Sequence, residues 1–423
     1  MLDRKLIREN AEMVRAGALR KGVDAPVDEF LKVDEEWRAS VAELESYKSE
    51  LNSISKSIGQ LIGQGKKEEA EAAKQKTSDI KEAIKELEPK ERELEAKLQD
   101  IELKFPNLPH DSVPDGKDAD DNVTIREWGT RPEGEFLPHY EIAEQLGLID
   151  FERAVKVSGS GFAVYTGAGA KLQRAIINFL ADFQSEKRGY TEVWPPALVL
   201  SSSLVGTGNL PKFADDLYGT VDDLWLIPTA EVPVTNLYRD EILDAEQLPL
   251  KVCAYTPCFR REAGAAGRDT RGILRMHQFD KVELVKYVLP ENSYDELEAL
   301  TNDAEQVLQA LGLHYRVILL CAGDMGDKGC KCYDIEVWSP GEQRYLEVSS
   351  CTNFEAYQSR RANIRFRREK GAKPEFVHIL NGSGTAVPRL LVAILETYRQ
   401  PDGSIMIPEA LRPYFGADSI PAN

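Results

Sequence analysis

Several things are scarce or missing in this chain of 423 residues. No apolar run reaches the length a membrane span needs, and Met1-Leu2-Asp3-Arg4-Lys5 lacks the apolar core of a secretory signal. The expectation is a cytoplasmic protein with no membrane partner. Cysteine is sparse: Cys253, Cys258, Cys321, Cys330, Cys332 and Cys351 fall in strand-like segments or loops of a long chain, a pattern of reduced thiols rather than a disulfide framework. No His or Cys pair follows Cys330 and Cys332 at zinc spacing, so the pair reads as packing. The five histidines, His110, His139, His277, His314 and His378, have no paired spacing and read as structural. No Gly-rich phosphate loop of the Walker or Rossmann kind is present. Excess positive charge is absent too, since the formal net charge is −18. That excludes indiscriminate binding to nucleic acid but allows a local basic surface.

What is present divides in two. From residue 29 to about 103 the composition turns to Glu, Lys, Ala and Leu. Apolar residues recur at alternating steps of three and four, from Phe30, Val33 and Trp37 to Leu61, then from Ala73 to Ile101. Gly63-Gln64-Gly65 interrupts the pattern. Two long helices meeting along one narrow seam, joined by a glycine turn, form an antiparallel helical hairpin. Helices of roughly thirty residues would project about 45 Å or more at 1.5 Å per residue. The competing reading, a dimerisation coiled coil or a solvated spacer, is weakened by the turn, which does not suit simple parallel pairing. Pro89 predicts a kink or local break near Glu88. A polar, Asp-rich stretch up to Asn122 then reads as a linker, giving an N-terminal domain over 1–110 and a second domain over 111–423.

In the second domain, 171–188 and 294–311 read helical, and 191–193 and 224–228 extended. The order is not a regular βα repeat, which points to α+β with a largely antiparallel sheet. Phe259-Arg260-Arg261-Glu262 and the run from Arg275 through Met276, His277 and Phe279 to Glu283 read as two strands of a hairpin around a loop rich in Gly, Ala and Arg. Alternation places Arg275, His277, Phe279, Lys281 and Glu283 on one face. A cation, an aromatic ring and a carboxylate on one face could hold a phosphate, stack a base and read a small polar group. Isolated, Arg260 would pair with Glu262 and Phe279 would pack into the core.

With Gly189-Tyr190-Thr191-Glu192-Val193-Trp194-Pro195-Pro196 before this hairpin, Thr229-Ala230-Glu231 between, and Asn381-Gly382-Ser383-Gly384-Thr385-Ala386-Val387-Pro388-Arg389 after it, the sequence resembles the bacterial-type seryl-tRNA synthetases. These are class II aminoacyl-tRNA ligases, and the likeness spans essentially the whole chain. The resemblance implies a class II antiparallel sheet flanked by helices, an N-terminal coiled-coil arm, and a homodimer built on the first motif. It implies ligation of L-serine to tRNA(Ser) through seryl-adenylate with release of AMP and pyrophosphate, with Mg2+ accompanying ATP, and possible use of tRNA(Sec).

The resemblance also assigns residues. Arg260 and Arg389 are catalytic. ATP falls to Arg260, Arg261, Glu262, Arg275, Met276, Phe279, Glu347, Val348, Ser349, Ser350 and Arg389, with Glu347 and Ser350 on the metal. Serine falls to Thr229, Ala230, Glu231, Arg260, Glu283 and Ser383. Arg389 is expected early in a helix opened by Gly382-Ser383-Gly384. The chemistry fits these residue types: attack of a carboxylate on the α-phosphate requires alignment and preplaced positive charge, not an acid or base. A guanidinium can bridge two oxygens. A buried carboxylate left without a hydroxyl rejects alanine and glycine. Arm lysines Lys48, Lys56, Lys74, Lys81 and Lys85 are candidates for RNA backbone contacts. The run Arg360, Arg361, Arg365, Arg367, Arg368 and Lys370 reads either as a contact to pyrophosphate or tRNA or as a solvated strand edge. Ligases that load carrier proteins lack such an arm, and a non-catalytic scaffold would not need Arg260, Glu262, Phe279, Glu283, Glu347 and Arg389 together. Threonine or proline specificity would call for an anticodon-binding domain after Arg389, which the sequence does not show.

Overall fold

A computed structural model describes residues 1–263 and 271–422. The chain forms two compact units, one of residues 2–19 and 23–106, the other of Met1, residues 20–22 and residues 107–423. In the first unit, short helices α1 (Arg4–Glu9) and α2 (Ala11–Arg20) precede the long pair α3 (Val27–Gly63) and α4 (Lys67–Glu102). Gln64, Gly65 and Lys66 make the turn, with Gly65 at φ +76° where a side chain would be strained. At 37 and 36 residues the helices extend about 54 Å.

The base of this pair buries Phe30, Val33, Leu94, Leu98 and Ile101, while towards the turn the seam thins to Ala70 and Ile80. Arg4 clamps the base by forking onto Glu102 at 2.6 Å and Glu95 at 2.9 Å. Contrary to the expected break, α4 runs unbroken through Pro89. Proline removes one N–H and crowds one carbonyl, but the flanking turns are held by their own hydrogen bonds and by the facing helix, as in the Lys48–Glu88 ion pair at 3.0 Å.

The second unit is built on an eight-stranded sheet: β1 (Val123–Trp128), β2 (Thr191–Glu192), β3 (Leu250–Phe259), β4 (Gln278–Val288), β5 (Tyr315–Leu319), β6 (Lys331–Ser339), β7 (Arg344–Asn353) and β8 (His378–Ala386). The spatial order is β1-β5-β6-β7-β8-β4-β3-β2. Every pairing is antiparallel except the β2–β3 edge. Helices α5 (Gly167–Arg188), α6 (Ser293–Ala310) and α7 (Val387–Thr397) bury apolar stripes against it, with Leu172, Phe179, Leu297, Leu300, Leu391 and Ile394 in a common core.

Two further expectations are corrected. The hairpin strands end at Phe259 and begin at Gln278, so Arg260, Arg261, Glu262, Arg275, Met276 and His277 lie outside the ladder. Within the loop between them, 264–270 falls outside the described residues. Glu262 has φ +53°, which turns the chain out of the extended region at once. Gly382, Ser383 and Gly384 sit in β8 rather than opening a helix, which starts at Val387 with Pro388 in its first turn. Gly382 is required by packing: a Cβ there would meet Cys351 Sγ at 2.8 Å.

Candidate active site

One cavity of about 330 Å³ opens over β7, β8 and β4. Two β-bulges decide what faces it. On β7 the register slips between Glu347 and Ser349, so Glu347 and Ser350 line the cavity while Ser349 turns inward to donate to Ser383 O at 2.6 Å. On β8 it slips between Ser383 and Thr385, which brings Ser383 and Ala386 to the cavity and buries Thr385 at φ +131°, a strained conformation for a β-branched residue. Alternation alone puts Ser349 on the wrong side.

On β4, Phe279, Lys281 and Glu283 share the cavity face as the period of two requires. The Arg260 guanidinium lies 5.1 Å from the Phe279 ring centroid, donates from Nε to Pro228 O at 3.2 Å, and its backbone N–H reaches His277 O at 2.9 Å. Arg260 therefore does not pair with Glu262. Glu262 instead holds Arg275 in a close ion pair, and both line the cavity. Phe279 packs one side against the core and leaves the other to the cavity. A flat slot bounded by a ring and guanidinium groups suits a purine and its phosphates.

At the far end, Arg389 donates to Glu347 O at 2.7 Å and lies 3.6 Å from the Glu347 carboxylate. Asp334 lies behind Glu347. Burial pushes its carboxyl well up, and the negative charge of Glu347 adds to the effect.

The third group is small and enclosed. Glu283 is 2% exposed, sits against the Lys281 ammonium, and is opposite Ser383 in the β4–β8 register. Burial raises its carboxyl above the usual carboxylate range, while Lys281 and the Thr229 hydroxyl pull it back. Glu231 accepts from Gln358 Nε2 at 2.5 Å and has Lys328 Nζ at 3.5 Å.

Of the expected residues, Arg260, Glu262, Arg275, Met276, Phe279, Glu347, Val348, Ser350, Arg389, Thr229, Glu231, Glu283 and Ser383 come together around this cavity. Three do not line it. Arg261 is exposed with its N–H on Asp216 O. Ala230 is buried in the helical turn behind Thr229, and Ser349 is the residue turned by the bulge. His277, expected on the odd-numbered face, turns away: its N–H meets Gly161 O at 2.9 Å and its ring packs near Phe162. Residue-by-residue reading missed Gln358, for which no local signal exists, and the loop from Met325 to Gly329, whose cluster of glycines near Lys328 was the available clue.

Among the described residues, His139, Glu342 and Glu396 are close enough to hold a cation. Glu396, however, already accepts from His139 N and Gly341 N, both at 2.9 Å, and from the Ser339 hydroxyl. His139 Nε2 takes the Ile273 N–H at 3.2 Å. The cluster ties down the turn at Ile273 that leads into Arg275. Cys330 and Cys332 are buried thiols pushed well up by burial. In the basic run, Arg368 pairs with Glu291 and Glu375, and Arg360 stacks on Phe376.

The antiparallel sheet and the cavity on it define a class II aminoacyl-tRNA synthetase core, and residues 213–398 match that core domain as described for the G, H, P, S and T enzymes. Residues 1–109 match the seryl-tRNA synthetase N-terminal domain. The serine–tRNA ligase of Caldicellulosiruptor saccharolyticus is 57% identical over 99% of this chain and 100% of its own length. That of Carboxydothermus hydrogenoformans is 52% identical over 99% of both. Among solved structures, seryl-tRNA synthetase from Pyrococcus horikoshii complexed with ATP superposes with a TM-score of 0.92 at 40% identity, covering both chains fully. The cytoplasmic serine–tRNA ligase of Naegleria fowleri in complex with AMP gives 0.87 at 32%, covering 100% of this chain and 99% of that one. The chain belongs to the seryl-tRNA synthetase family, the ATP-dependent ligases of serine and tRNA. No helix among the described residues is long and apolar enough to cross a membrane.

Proposed function

We propose that this cavity joins serine to ATP as seryl-adenylate and then passes serine to the 3′-terminal ribose of tRNA(Ser). The observation that carries the reading is the sharing of one 330 Å³ space by the Arg260–Phe279 slot, the Arg389–Glu347 end and the buried Glu283–Thr229–Glu231 group. In the first step a serine carboxylate oxygen bonds to the α-phosphorus, the bridge to the β-phosphate breaks, and pyrophosphate leaves. Arg260 neutralises charge on both reacting groups, Phe279 seats adenine, and Arg389 with Arg275 holds the outgoing phosphates. In the second, a ribose hydroxyl oxygen bonds to the serine carbonyl carbon and AMP departs.

Glu231 and Thr229 accept from the substrate ammonium, and Glu283 with Ser383 reads the hydroxyl. A carboxylate that stays buried without that hydroxyl disfavours alanine and glycine. Glu347 and Ser350 present oxygen donors side by side, a donor set suited to Mg2+, which would neutralise phosphate charge when bound with ATP.

The helical pair serves as the tRNA arm, and its charge is segregated in a way that supports this. Around the turn, residues 52–81 carry Lys56, Lys66, Lys67, Lys74, Lys76 and Lys81 against Glu68, Glu69, Glu71 and Asp79, whereas the remainder of both helices is rich in carboxylates. An acidic protein can thereby meet an RNA backbone locally. Lys48 pairs with Glu88 and Lys74 with Glu71, leaving Lys56, Lys81 and Lys85 as the stronger candidates. The first-motif segment, with Trp194 80% exposed on the sheet edge, forms the interface of a cytoplasmic homodimer, and serine is also placed on tRNA(Sec) where that tRNA exists.

Serine-dependent exchange of labelled pyrophosphate into ATP tests the core of the reading, with alanine, threonine and glycine as comparisons. Stimulation by serine alone is expected. Absence of serine stimulation removes the proposal.

A further inference from the structure

Between β5 and β6 the chain makes a loop of turns, and its stretch from Met325 to Gly329 forms one wall of the cavity. Loops of this kind have few backbone partners of their own. Here four successive carbonyls are taken by two residues from far away in sequence. Lys21 Nζ donates to Gly326 O at 2.8 Å, to Asp327 O at 3.3 Å and to Gly329 O. Asn107 holds Asp327 O through its backbone N–H at 2.7 Å and Lys328 O through its amide at 2.9 Å. Lys21 is itself 8% exposed, an unusual setting for an ammonium. The pinned loop carries Lys328, whose Nζ lies 3.5 Å from Glu231.

We propose that Lys21 is a positioning residue for serine binding, its ammonium fixing the 326–329 loop so that Lys328 and the cavity wall stand at a set distance from Glu231. The inference rests on the reading that Glu231 receives the substrate ammonium. The donor count is specific: an ammonium offers three N–H groups to three carbonyls, whereas a neutral amine offers two and turns a lone pair towards the third. Loss of the proton therefore loosens the loop rather than leaving it unchanged.

Burial lowers Lys21 to about 8, with Cys330, Asp327 and Cys332 opposing that shift. The two thiols are pushed well up by burial and stay neutral across the working range, and the Asp327 carboxylate is held by Lys212. The charge that changes near neutral pH is that of Lys21.

Lys21→Met keeps the length of the side chain and deletes its donors. In serine-dependent pyrophosphate exchange at pH 7, its KM for serine is expected to rise about tenfold, the scale of a lost buried polar contact, with KM for ATP within twofold of wild type. As pH rises from 7 to 9.5 the ratio of variant to wild-type serine KM should fall, because the wild type loses one of the three N–H donors that the variant lacks at every pH. Titration of serine itself cancels in that ratio. Lys21→Arg keeps its charge throughout, so its serine KM should rise less than that of wild type over the same range; this comparison decides the matter if Lys21→Met does not fold. Equal increases in serine and ATP KM, a ratio constant with pH, or an unchanged serine KM would each overturn the proposal. Glu231→Gln separates the two levels. If its serine KM stays at the wild-type value, the underlying assignment of Glu231 fails, whatever Lys21→Met shows.

Discussion

The helical arm and the sheet unit solve opposite problems with the same chain. Along the projecting part of the arm, contacts lie within a turn or directly across one seam, with Arg4 adding a clamp at the base, and the buried layer is a single line of side chains thinning from Leu98 and Ile101 to Ala70. In the sheet unit, residues as far apart as Phe279 and Ser383 share one cavity because three neighbouring strands, β7, β8 and β4, carry its floor, and Thr229 and Arg389 join it from flanking segments. Local contacts form fast and open easily, whereas non-local pairing gives rigidity at the price of slow assembly. Chemistry that needs atoms placed to within an ångström belongs on the second kind of structure, and reach towards a long flexible polymer belongs on the first.

The sharpest way to break the comparison is to separate the two. Replacing residues 37–97 by a short Gly-Ser linker should abolish transfer of serine to tRNA, a loss beyond about 10³-fold from the missing RNA contacts. Pyrophosphate exchange should remain within about threefold of wild type. Parallel quench assays of both steps check this, and equal loss of both would mean the arm contributes to the cavity. Arg260→Ala should do the reverse: exchange falls by roughly 10² to 10³, the usual scale for one preplaced charge donor, while filter binding of tRNA is unchanged.

Within the sheet unit, Glu283→Gln should raise KM for serine by about 10- to 100-fold and leave KM for ATP nearly constant, because a buried acceptor is exchanged for a group with half the accepting capacity. Its pH profile carries a sign. Burial raises the Glu283 carboxyl above its usual range, so as pH falls serine KM should climb earlier than for a surface glutamate, and Glu283→Gln should flatten that limb. Stability runs the other way. A carboxyl whose folded value is raised favours the native state at low pH, and that contribution is lost as pH rises through the folded value. Serine KM and thermal melts across pH 4.5 to 7 test both directions.

The same contrast explains what was legible in the sequence. The helical pair was readable, because its apolar steps at Phe30, Val33 and Leu44 record the seam and Gly65 records the turn, whereas the break expected at Pro89 is absent. Phe279 and Glu283 were readable because alternation on a strand is local. Ser349 and Ser350 were not separable, since the bulge beside Val348 is set by how β7 pairs with β6, and pairing is not written in either strand alone. Gly382 reads in sequence as the opening of a helix, but its place in β8 is set by Cys351 of the neighbouring strand packed against it. Lys281 stood on the expected face without a role, and its partner is Glu283 itself, two residues along the same strand. Lys21 and Gln358 carry no local mark at all; their meaning lies wholly in what the fold brings to them.

Pro89 offers the smallest effect and the finest test of the comparison. In α4 it leaves the carbonyl of Lys85 without its usual donor, yet the helix continues from Lys67 to Glu102. Local structure tolerates such a defect because the turns on either side remain satisfied and the facing helix holds them. Pro89→Ala restores the missing hydrogen bond and removes the ring, so the isolated arm should gain up to about 3 kcal/mol of helical stability, the penalty of proline in a helix interior. Circular dichroism melts of an arm fragment with and without the substitution would show it. If the arm is as independent of the cavity as its local contacts imply, the same change in the full chain should leave pyrophosphate exchange within experimental error and alter transfer to tRNA by less than about twofold. A change in exchange would show that strain at Pro89 is felt in the sheet unit, and would end the separation of the two regions more economically than any deletion.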